Sequence, residues 1–453
     1  MSTPTDRPNV VVVHPHNLGR YLGCYGRPID TPNADALAEE GTRFTDYFCT
    51  APHCSPSRGS MWTGTYPHVN GLVGLAHLGW RMDDRPTLVD RLNDAGYRTH
   101  LFGLQHVSED PAEMGFDHVE GSTHGFTVDE PAASVADSVE SFFESGRADG
   151  EDPFFASVGF SEVHRQPLVD RCLDCGWTFD LPGYESDDPE EVDPLPYLPD
   201  GPGHREDLAG LHGMVRAVDD GLGRVVDAID ASGHREDTLV IFTTDHGIGF
   251  PRAMGTCYDP GVEAFLVARW PGVIEPGRTD DHLLSNTDFT PTVLDLLDLD
   301  PPANVSGRSF APLLTGNGTY EPREEVFLEL TWHSKYMPSR AVRTDRYKYI
   351  RTFGDQPRVY IPAPLFTAPA GLEVRDEFYG EESPEEELYD LEADPHEKNN
   401  LAEDPDHQDA LVRLRGRVEE WMESTNDRLL EGDWPPTPEQ EERVRKSPWI
   451  PRT

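Results

Sequence analysis

Lysine is scarce in this sequence, and basic residues are far fewer than acidic ones. The 453 residues include 38 Lys and Arg against 83 Asp and Glu, which gives a net charge of −45. The lysines are Lys335, Lys348, Lys398 and Lys446. Because binding to nucleic acid or to an anionic membrane needs clustered cations, we expect neither as a partner. An acidic, lysine-poor chain with ordinary hydrophobic patterning is typical of a halophilic protein, whose self-repulsion is screened by concentrated salt.

Cysteines and long apolar runs are also few. Six cysteines do not make a disulfide framework in a chain of this length, and Cys172 and Cys175 form a lone C-x-x-C pair that favours loop cysteines over a zinc or redox site. No apolar run reaches the ~18 residues of a membrane span, and the mean hydropathy is −0.57. Residues 1–13 lack the basic and apolar regions of a secretory signal. We therefore expect a cytoplasmic protein.

The sequence does contain a regular alternation of short apolar runs and amphipathic helical stretches. This alternation predicts an α/β fold with a large, mostly parallel sheet sandwiched by helices. Four of the apolar runs lead directly into loops that carry His or Asp: residues 10–13, 99–102, 154–160 and 239–243. Because the carboxyl ends of parallel strands meet at one edge of a sheet, we expect these loops to converge on one site.

The pattern changes after about residue 322. Short strands are predicted near residues 325–330, 339–343 and 347–352, followed by a late helix at 411–422. We therefore predict a large catalytic domain over residues 1–322 and a smaller α+β domain with an antiparallel sheet over residues 323–453. The acidic, proline-rich stretch 186–203 is predicted to be a long loop, either solvated or forming a rim over the site.

One segment, residues 54–58 with the sequence CSPSR, stands just before a predicted helix at 59–64. A cysteine at a helix N-terminus lies in a positive field that favours an anion. Arg58 is four residues further on, one helical turn away, and could face the same anion. Taken alone, the segment is more typical of an ordinary capped helix start than of an anion site.

The segment resembles the sulfatase signature, in which the cysteine is oxidised after translation to formylglycine. Other segments resemble further motifs of that family: residues 22–26, 31–35, 64–68, 243–247, 307–314 and 387–396. The run at 193–197 and the Phe250-Pro251 pair are most similar to the heparan N-sulfatase branch. The resemblance covers nearly the whole chain and implies an alkaline-phosphatase-like fold.

The resemblance also implies a mechanism for hydrolysing a sulfate ester or sulfamate, for example on a sulfated sugar. The hydrated aldehyde derived from Cys54 would attack sulfur and release the alcohol or amine, and its second hydroxyl would then expel sulfate. Arg58 would orient residue 54 and neutralise charge, His106 would be the base and His164 the acid for the leaving group. A maturase that makes formylglycine is an implied partner.

The implied metal site departs from the family pattern. Sulfatases usually place two adjacent aspartates after the first strand, where this chain has His16 and Asn17, and the usual Asn after Asp245 is His246. The implied ligands are these four residues. Calcium prefers oxygen ligands, whereas imidazoles shift the preference towards manganese or zinc. We therefore expect one divalent ion, which is Ca, Mn or Zn.

Two sulfate-binding lysines of the family are also replaced, by Leu104 and Met254. We predict that Arg165, Arg252 and His333 contact the substrate instead.

Two alternatives stay open. Imidazole-rich sites are also typical of metal phosphohydrolases, so the chain could be a phosphate mono- or diesterase on the same scaffold. The lost aspartates and lysines also fit a catalytically degenerate homologue that binds an anion. The sequence reveals neither the natural substrate nor the oligomeric state.

Overall fold

The computed structural model describes residues 7–121, 131–167 and 176–447. Within these ranges the α-helices are α1 Pro32–Glu40, α2 Cys54–Thr63, α3 Pro67–Asn70, α4 Leu88–Asp94, α5 Ala132–Glu144, α6 Pro202–Ala231, α7 Asp259–Val262, α8 Phe289–Leu296, α9 Ala311–Thr315, α10 Ala363–Phe366, α11 Pro369–Phe378, α12 Gln408–Ser424 and α13 Pro438–Lys446. In the same ranges, no helix combines the length and apolar character needed to cross a bilayer. The Cys172–Cys175 pair lies outside the described residues.

The strands form one large sheet, one smaller sheet and a short ribbon. They are β1 Asn9–His14, β2 Thr42–Phe48, β3 Arg98–Gly103, β4 His118–Glu120, β5 Phe154–Gly159, β6 Gln166–Pro167, β7 Trp177–Thr178, β8 Thr238–Thr243, β9 Glu263–Arg269, β10 Arg278–Asp280, β11 Leu284–Ser285, β12 Glu325–Trp332, β13 Tyr336–Thr344, β14 Tyr347–Thr352 and β15 Glu386–Asp390. The large sheet has the order β10-β2-β9-β8-β1-β5-β3-β4, with β11 also paired to β2. It is mostly parallel, because only β9 runs against its neighbours β2 and β8 among the described pairings.

The four predicted apolar runs are β1, β3, β5 and β8, and they lie side by side in the order β8-β1-β5-β3. Their pairings are all parallel. Every residue of β1, β5 and β8 is buried, as expected for strands covered by helices on both faces. Their carboxyl ends therefore open at one edge, which confirms the predicted α/β fold and places the four loops together.

Helices cover both faces of this sheet. The predicted long helix is α6, which packs Leu208, Leu211 and Val215 into the same buried core as Val11 and Val13 of β1. On the other face, Trp62 of α2 and Leu88 of α4 are buried in a second core. The strands that lead to the site are thus packed against buried side chains on both faces.

The second sheet is antiparallel, in the order β12-β13-β14-β15. This confirms the predicted antiparallel C-terminal sheet. It also contains a fourth strand, β15, which the hydrophobic pattern did not predict. Val326 and Leu328 of β12 belong to the same buried core as β1. The two sheets thus share one hydrophobic core, and the boundary at 322/323 stays a prediction.

Two local features differ from the expected ones. The helix predicted at 59–64 begins earlier, at Cys54 itself. The loop at 186–201 is largely exposed, as one of the two expectations had it, but Val192, Leu195 and Leu198 anchor it in the main core. None of its residues lines the cavity beside Cys54.

Candidate active site

Cys54 is the first residue of α2, which is preceded by His53 in extended conformation. The thiol is buried, with 2% of the residue exposed. Its Sγ atom lies 3.4 Å from His246 Nε2 and 3.9 Å from Asn17 Oδ1. The first backbone N–H groups of a helix carry partial positive charge, so residue 54 lies where a negative charge is favoured.

Arg58 is one turn further along α2 and is completely buried. Its Nε donates to Asp245 Oδ2 at 3.0 Å, and Nη2 donates to the carbonyl of Pro15 at 3.2 Å. Nη1 lies 2.7 Å from His14 Nδ1. Because a guanidinium only donates, His14 Nδ1 must accept, and His14 Nε2 then donates to Ser157 Oγ at 2.8 Å. The predicted Arg58 thus ties the ends of β1, β5 and β8 together.

Asp245 follows β8 and lies at the centre of this network. Its Oδ1 accepts hydrogen bonds from the backbone N–H groups of Asn17 at 2.8 Å and His246 at 3.0 Å. Burial raises the pKa of Asp245, but the nearby Arg58 guanidinium and the hydrogen bond from the Asn17 backbone N–H oppose this effect, and the pKa lies well below its usual value. Asp245 is therefore an anion in the folded protein.

The predicted metal residues fall into two overlapping groups of donor atoms. One contains Cys54, Asp245 and His246, and the other contains His16, Cys54 and His106. In each, the donor atoms lie within 4.8 Å of one another. His16 Nε2 connects the groups, since it lies 3.6 Å from Asp245 Oδ2 and 3.2 Å from His106 Nδ1.

The imidazoles in these groups are neutral and can offer lone pairs. Burial lowers the pKa of His16, His106 and His246 below the ordinary value. His246 Nδ1 donates to the carbonyl of Gly247 at 3.0 Å, which leaves Nε2 as the basic nitrogen facing Cys54. A neutral, oriented imidazole of this kind is what a metal ion requires.

This donor set fits an ion that accepts nitrogen, and it does not fit calcium. Calcium takes about six to eight oxygen ligands. The four predicted metal residues offer at most three side-chain oxygens, two from Asp245 and one from Asn17. The imidazoles of His16 and His246 instead favour a borderline ion such as zinc or manganese.

Two residues of the site, Asn17 and His106, have a strained backbone conformation. Asn17 has φ of 54° and His106 has φ of 55°, in the left-handed region that favours glycine. A side chain kept at such a position costs of order 1 kcal/mol or more. Strained residues of this kind cluster at active sites, which supports a functional role for both side chains.

A narrow cavity of about 30 Å³ opens beside Cys54. It is lined by Cys54, Leu75, His77, Leu78, His164, Trp177, His333, Ser334, Ala363 and Pro364. The structure therefore brings the predicted His164 and His333 to residue 54. The sequence analysis did not predict His77, because no motif marks it. Its Nδ1 lies 3.4 Å from His106 Nε2.

The structure places the two predicted substrate arginines elsewhere. Arg165 pairs with Asp207 of α6 and donates from Nε to the carbonyl of Gly249 at 2.9 Å. Arg252 donates to the carbonyls of His396 and Glu397. Neither arginine lines the cavity beside Cys54. Arg165 Nη2 is buried without a hydrogen-bond partner, so part of that guanidinium is uncommitted, and the contact of both arginines with the substrate stays a prediction.

Comparison with known proteins identifies the family. The sulfatase family model matches residues 8–299, and a model for the C-terminal part of N-sulphoglucosamine sulphohydrolase matches residues 247–361. Human N-sulphoglucosamine sulphohydrolase is 30% identical over 92% of this chain and 90% of its own length. An ulvan-active sulfatase from Formosa agariphila is 29% identical over 95% of this chain and 83% of its own length.

The fold is shared more widely. The solved phosphonate monoester hydrolase of Agrobacterium radiobacter has a TM-score of 0.69 at 21% identity, covering 94% of this chain and 97% of that one. At this identity the likeness concerns the fold alone. On the family match and the relatives together, the chain belongs to the sulfatase family, and it is a sulfuric ester hydrolase.

Proposed function

We propose that this protein hydrolyses a sulfate ester or sulfamate on a sulfated sugar, using a formylglycine made from Cys54 and a divalent ion. The observation that carries the proposal is the position of residue 54. It lies at the N-terminus of α2, in contact with Asn17 and His246, with Arg58 and Asp245 directly behind it. The sulfated sugar is suggested by the names of the two relatives.

The unmodified cysteine is a poor nucleophile in this environment. Burial raises the pKa of the Cys54 thiol, with Asp245 adding to the effect and Arg58 opposing it. A protonated thiol does not attack an anionic sulfate ester, since the thiolate is the reactive form. This favours conversion of Cys54 by a maturase over direct cysteine catalysis.

Each implied group supplies one kind of chemistry. Formylglycine would supply a geminal diol as nucleophile. His16, Asn17, Asp245 and His246 would hold a divalent ion, which would lower the pKa of that diol and polarise sulfate oxygens. Arg58 keeps Asp245 ionised and in place, through the hydrogen bond to Oδ2. The helix N-terminus adds partial positive charge where the sulfate group must lie.

His164 is placed to serve the leaving group. Its Nδ1 donates to the carbonyl of Arg165 at 2.6 Å, so Nε2 is the nitrogen that exchanges a proton. Burial lowers the pKa of His164 to about 4. A bound sulfate anion raises that pKa, because a nearby negative charge favours the imidazolium form. His164 can then donate its proton to the departing oxygen or nitrogen.

The proposal is tested by the mass of the peptide that contains residue 54, with turnover measured on the same preparation. Protein from the native host, or co-expressed with a formylglycine-generating maturase, is assayed in molar KCl, because we also propose a cytoplasm of high salt for this acidic chain. We expect the aldehyde mass and hydrolysis of sulfate esters, and Cys54→Ala is the matched inactive control. An unmodified thiol, or turnover of phosphate esters in preference to sulfate esters, would overturn the proposal.

A further inference from the structure

The cavity beside Cys54 lacks a fixed cation for the substrate. Among the described residues that line it, none is lysine or arginine. Leu104 and Met254 stand where the resemblance to the sulfatase motifs leads us to expect a side-chain cation. Arg58 is nearby, but its donors are directed to Asp245, His14 and the carbonyl of Pro15. A sulfate group in this cavity therefore meets no side-chain cation among the lining residues, and its positive surroundings come from the N-terminus of α2 and from metal.

The second group of donor atoms lies at this place. His16 Nε2 and His106 Nδ1 are 3.2 Å apart. One ring nitrogen of each histidine and Cys54 Sγ lie within 4.8 Å of one another. His16 is 1% exposed, and its Nδ1 has no hydrogen-bond partner. His106 is kept in a strained left-handed conformation, although glycine would adopt that conformation without cost.

We infer that this chain holds a second divalent ion of the zinc class on His16, His106 and the side chain of residue 54. The inference rests on the proposed function, and it reassigns His106 from base to metal ligand and His16 from the first ion to the second. The first ion keeps Asn17, Asp245 and His246. The second ion supplies the positive charge that the resemblance leads us to expect from lysines in other sulfatases. Its open position takes a sulfate oxygen of the substrate.

The donor geometry agrees with such an ion. Bonds of 2.0–2.1 Å from zinc to imidazole nitrogen place two nitrogens of a tetrahedral site about 3.3 Å apart. The observed separation between His16 Nε2 and His106 Nδ1 is 3.2 Å. Three protein ligands and one open position are typical of catalytic rather than structural zinc sites.

A neighbour also orients the proposed ligand. His77 Nδ1 lies 3.4 Å from His106 Nε2, the ring nitrogen that faces away from His16. Metal-bound histidines usually engage their second ring nitrogen in this way, which fixes the tautomer and the ring plane. His77 is thus a positioning residue for His106.

The test counts the ions. Chelated protein is dialysed against zinc, and bound metal is measured by native mass spectrometry and elemental analysis. We expect two ions per chain in the parent protein and one in His106→Gln. His407→Gln, which changes a histidine just before α12, is the matched control and should keep two. Cobalt replacement adds a spectroscopic readout. The parent protein and His407→Gln should show the visible absorption of the second Co²⁺, and His106→Gln should lack it.

The outcomes separate this inference from the proposed function. One ion in the parent, unchanged in His106→Gln, would mean that His16 and His106 share only a hydrogen bond, and the inference would be wrong. If that one-ion protein still hydrolysed sulfate esters, the proposed function would stand. Two ions without sulfate-ester hydrolysis by the matured protein would support the second site and contradict the function.

Discussion

The pairing of Arg58 with Asp245 gives the sharpest test of the site geometry. Both side chains are completely shielded from solvent, and Arg58 Nε lies 3.0 Å from Asp245 Oδ2. Replacing Arg58 by Met removes this bond together with those to His14 and Pro15, and it leaves the Asp245 carboxylate buried without its cation. Breaking a buried pair from one side costs about 3–5 kcal/mol of unfolding free energy.

A double-mutant cycle separates this pair from its surroundings. Asp245→Asn leaves Arg58 uncompensated and should cost a similar amount. Because the double variant buries no unpaired charge, its loss should be smaller than the sum of the single losses by about 2 kcal/mol or more. The assay is urea unfolding in molar KCl with a chelator present, so that metal binding does not contribute to stability.

A surface pair provides the matched control for the cycle. Arg351 and Glu419 lie 3.1 Å apart, but their side chains are 28% and 48% exposed. Their coupling should stay below about 1 kcal/mol, and molar salt should reduce it further. If Arg58→Met and Asp245→Asn were additive within about 0.5 kcal/mol, the two groups would not interact and the site described here would be wrong.

Three further predictions concern other parts of the molecule. Arg252→Met should lower the unfolding free energy by about 1.5–3 kcal/mol in urea titrations, because the carbonyls of His396 and Glu397 lose a charged donor; a loss of turnover with unchanged stability would restore its predicted role in binding. Burial raises the pKa of Glu397 from its ordinary 4.5 to about 7, against the opposing effect of Lys348. The folded state therefore holds a proton that the unfolded state releases, and stability should fall as the pH rises from about 4.5 to 7. Glu397→Gln should flatten this slope in unfolding measured at several pH values, and an unchanged slope would contradict the assignment. Removing metal with a chelator should abolish turnover, and zinc or manganese should restore it better than calcium; recovery with calcium alone would refute the nitrogen-rich donor set.

Much of the fold follows from the sequence, because buried parallel strands are continuous apolar runs and amphipathic helices repeat every 3.6 residues. The sequence pattern places the start of α2 too late, at residue 59 instead of Cys54, for a local reason. His53 is not a usual N-cap residue, and Pro56 argues against a helix unless it lies in the first turn. There its missing N–H leaves nothing unpaired, since the first N–H groups of a helix have no partner within it.

The sequence predicts the position of site residues that directly follow a strand. It does not predict the partners of long side chains that contact residues distant in sequence. His106, His164 and Asp245 each follow a strand of the central sheet, so the topology brings them together. Arg165 also follows such a strand, but its guanidinium pairs with Asp207, which is 42 residues away in sequence. Such a contact depends on the packing of α6 against the sheet, which no local pattern encodes.

The site has few lysines and many buried imidazoles, and this combination affects how the attraction for sulfate depends on salt. A lysine attracts sulfate through a charge that concentrated chloride screens, since the Debye length is about 3 Å at 1 M salt. An ion coordinated by His16 and His106 would bind a sulfate oxygen directly, and screening weakens a direct, desolvated contact much less. In an acidic protein proposed to work in high salt, replacing side-chain cations by a coordinated ion would therefore preserve attraction for the substrate. The same replacement would make that attraction depend on metal supply, so affinity for sulfate should vary little with KCl and strongly with free zinc.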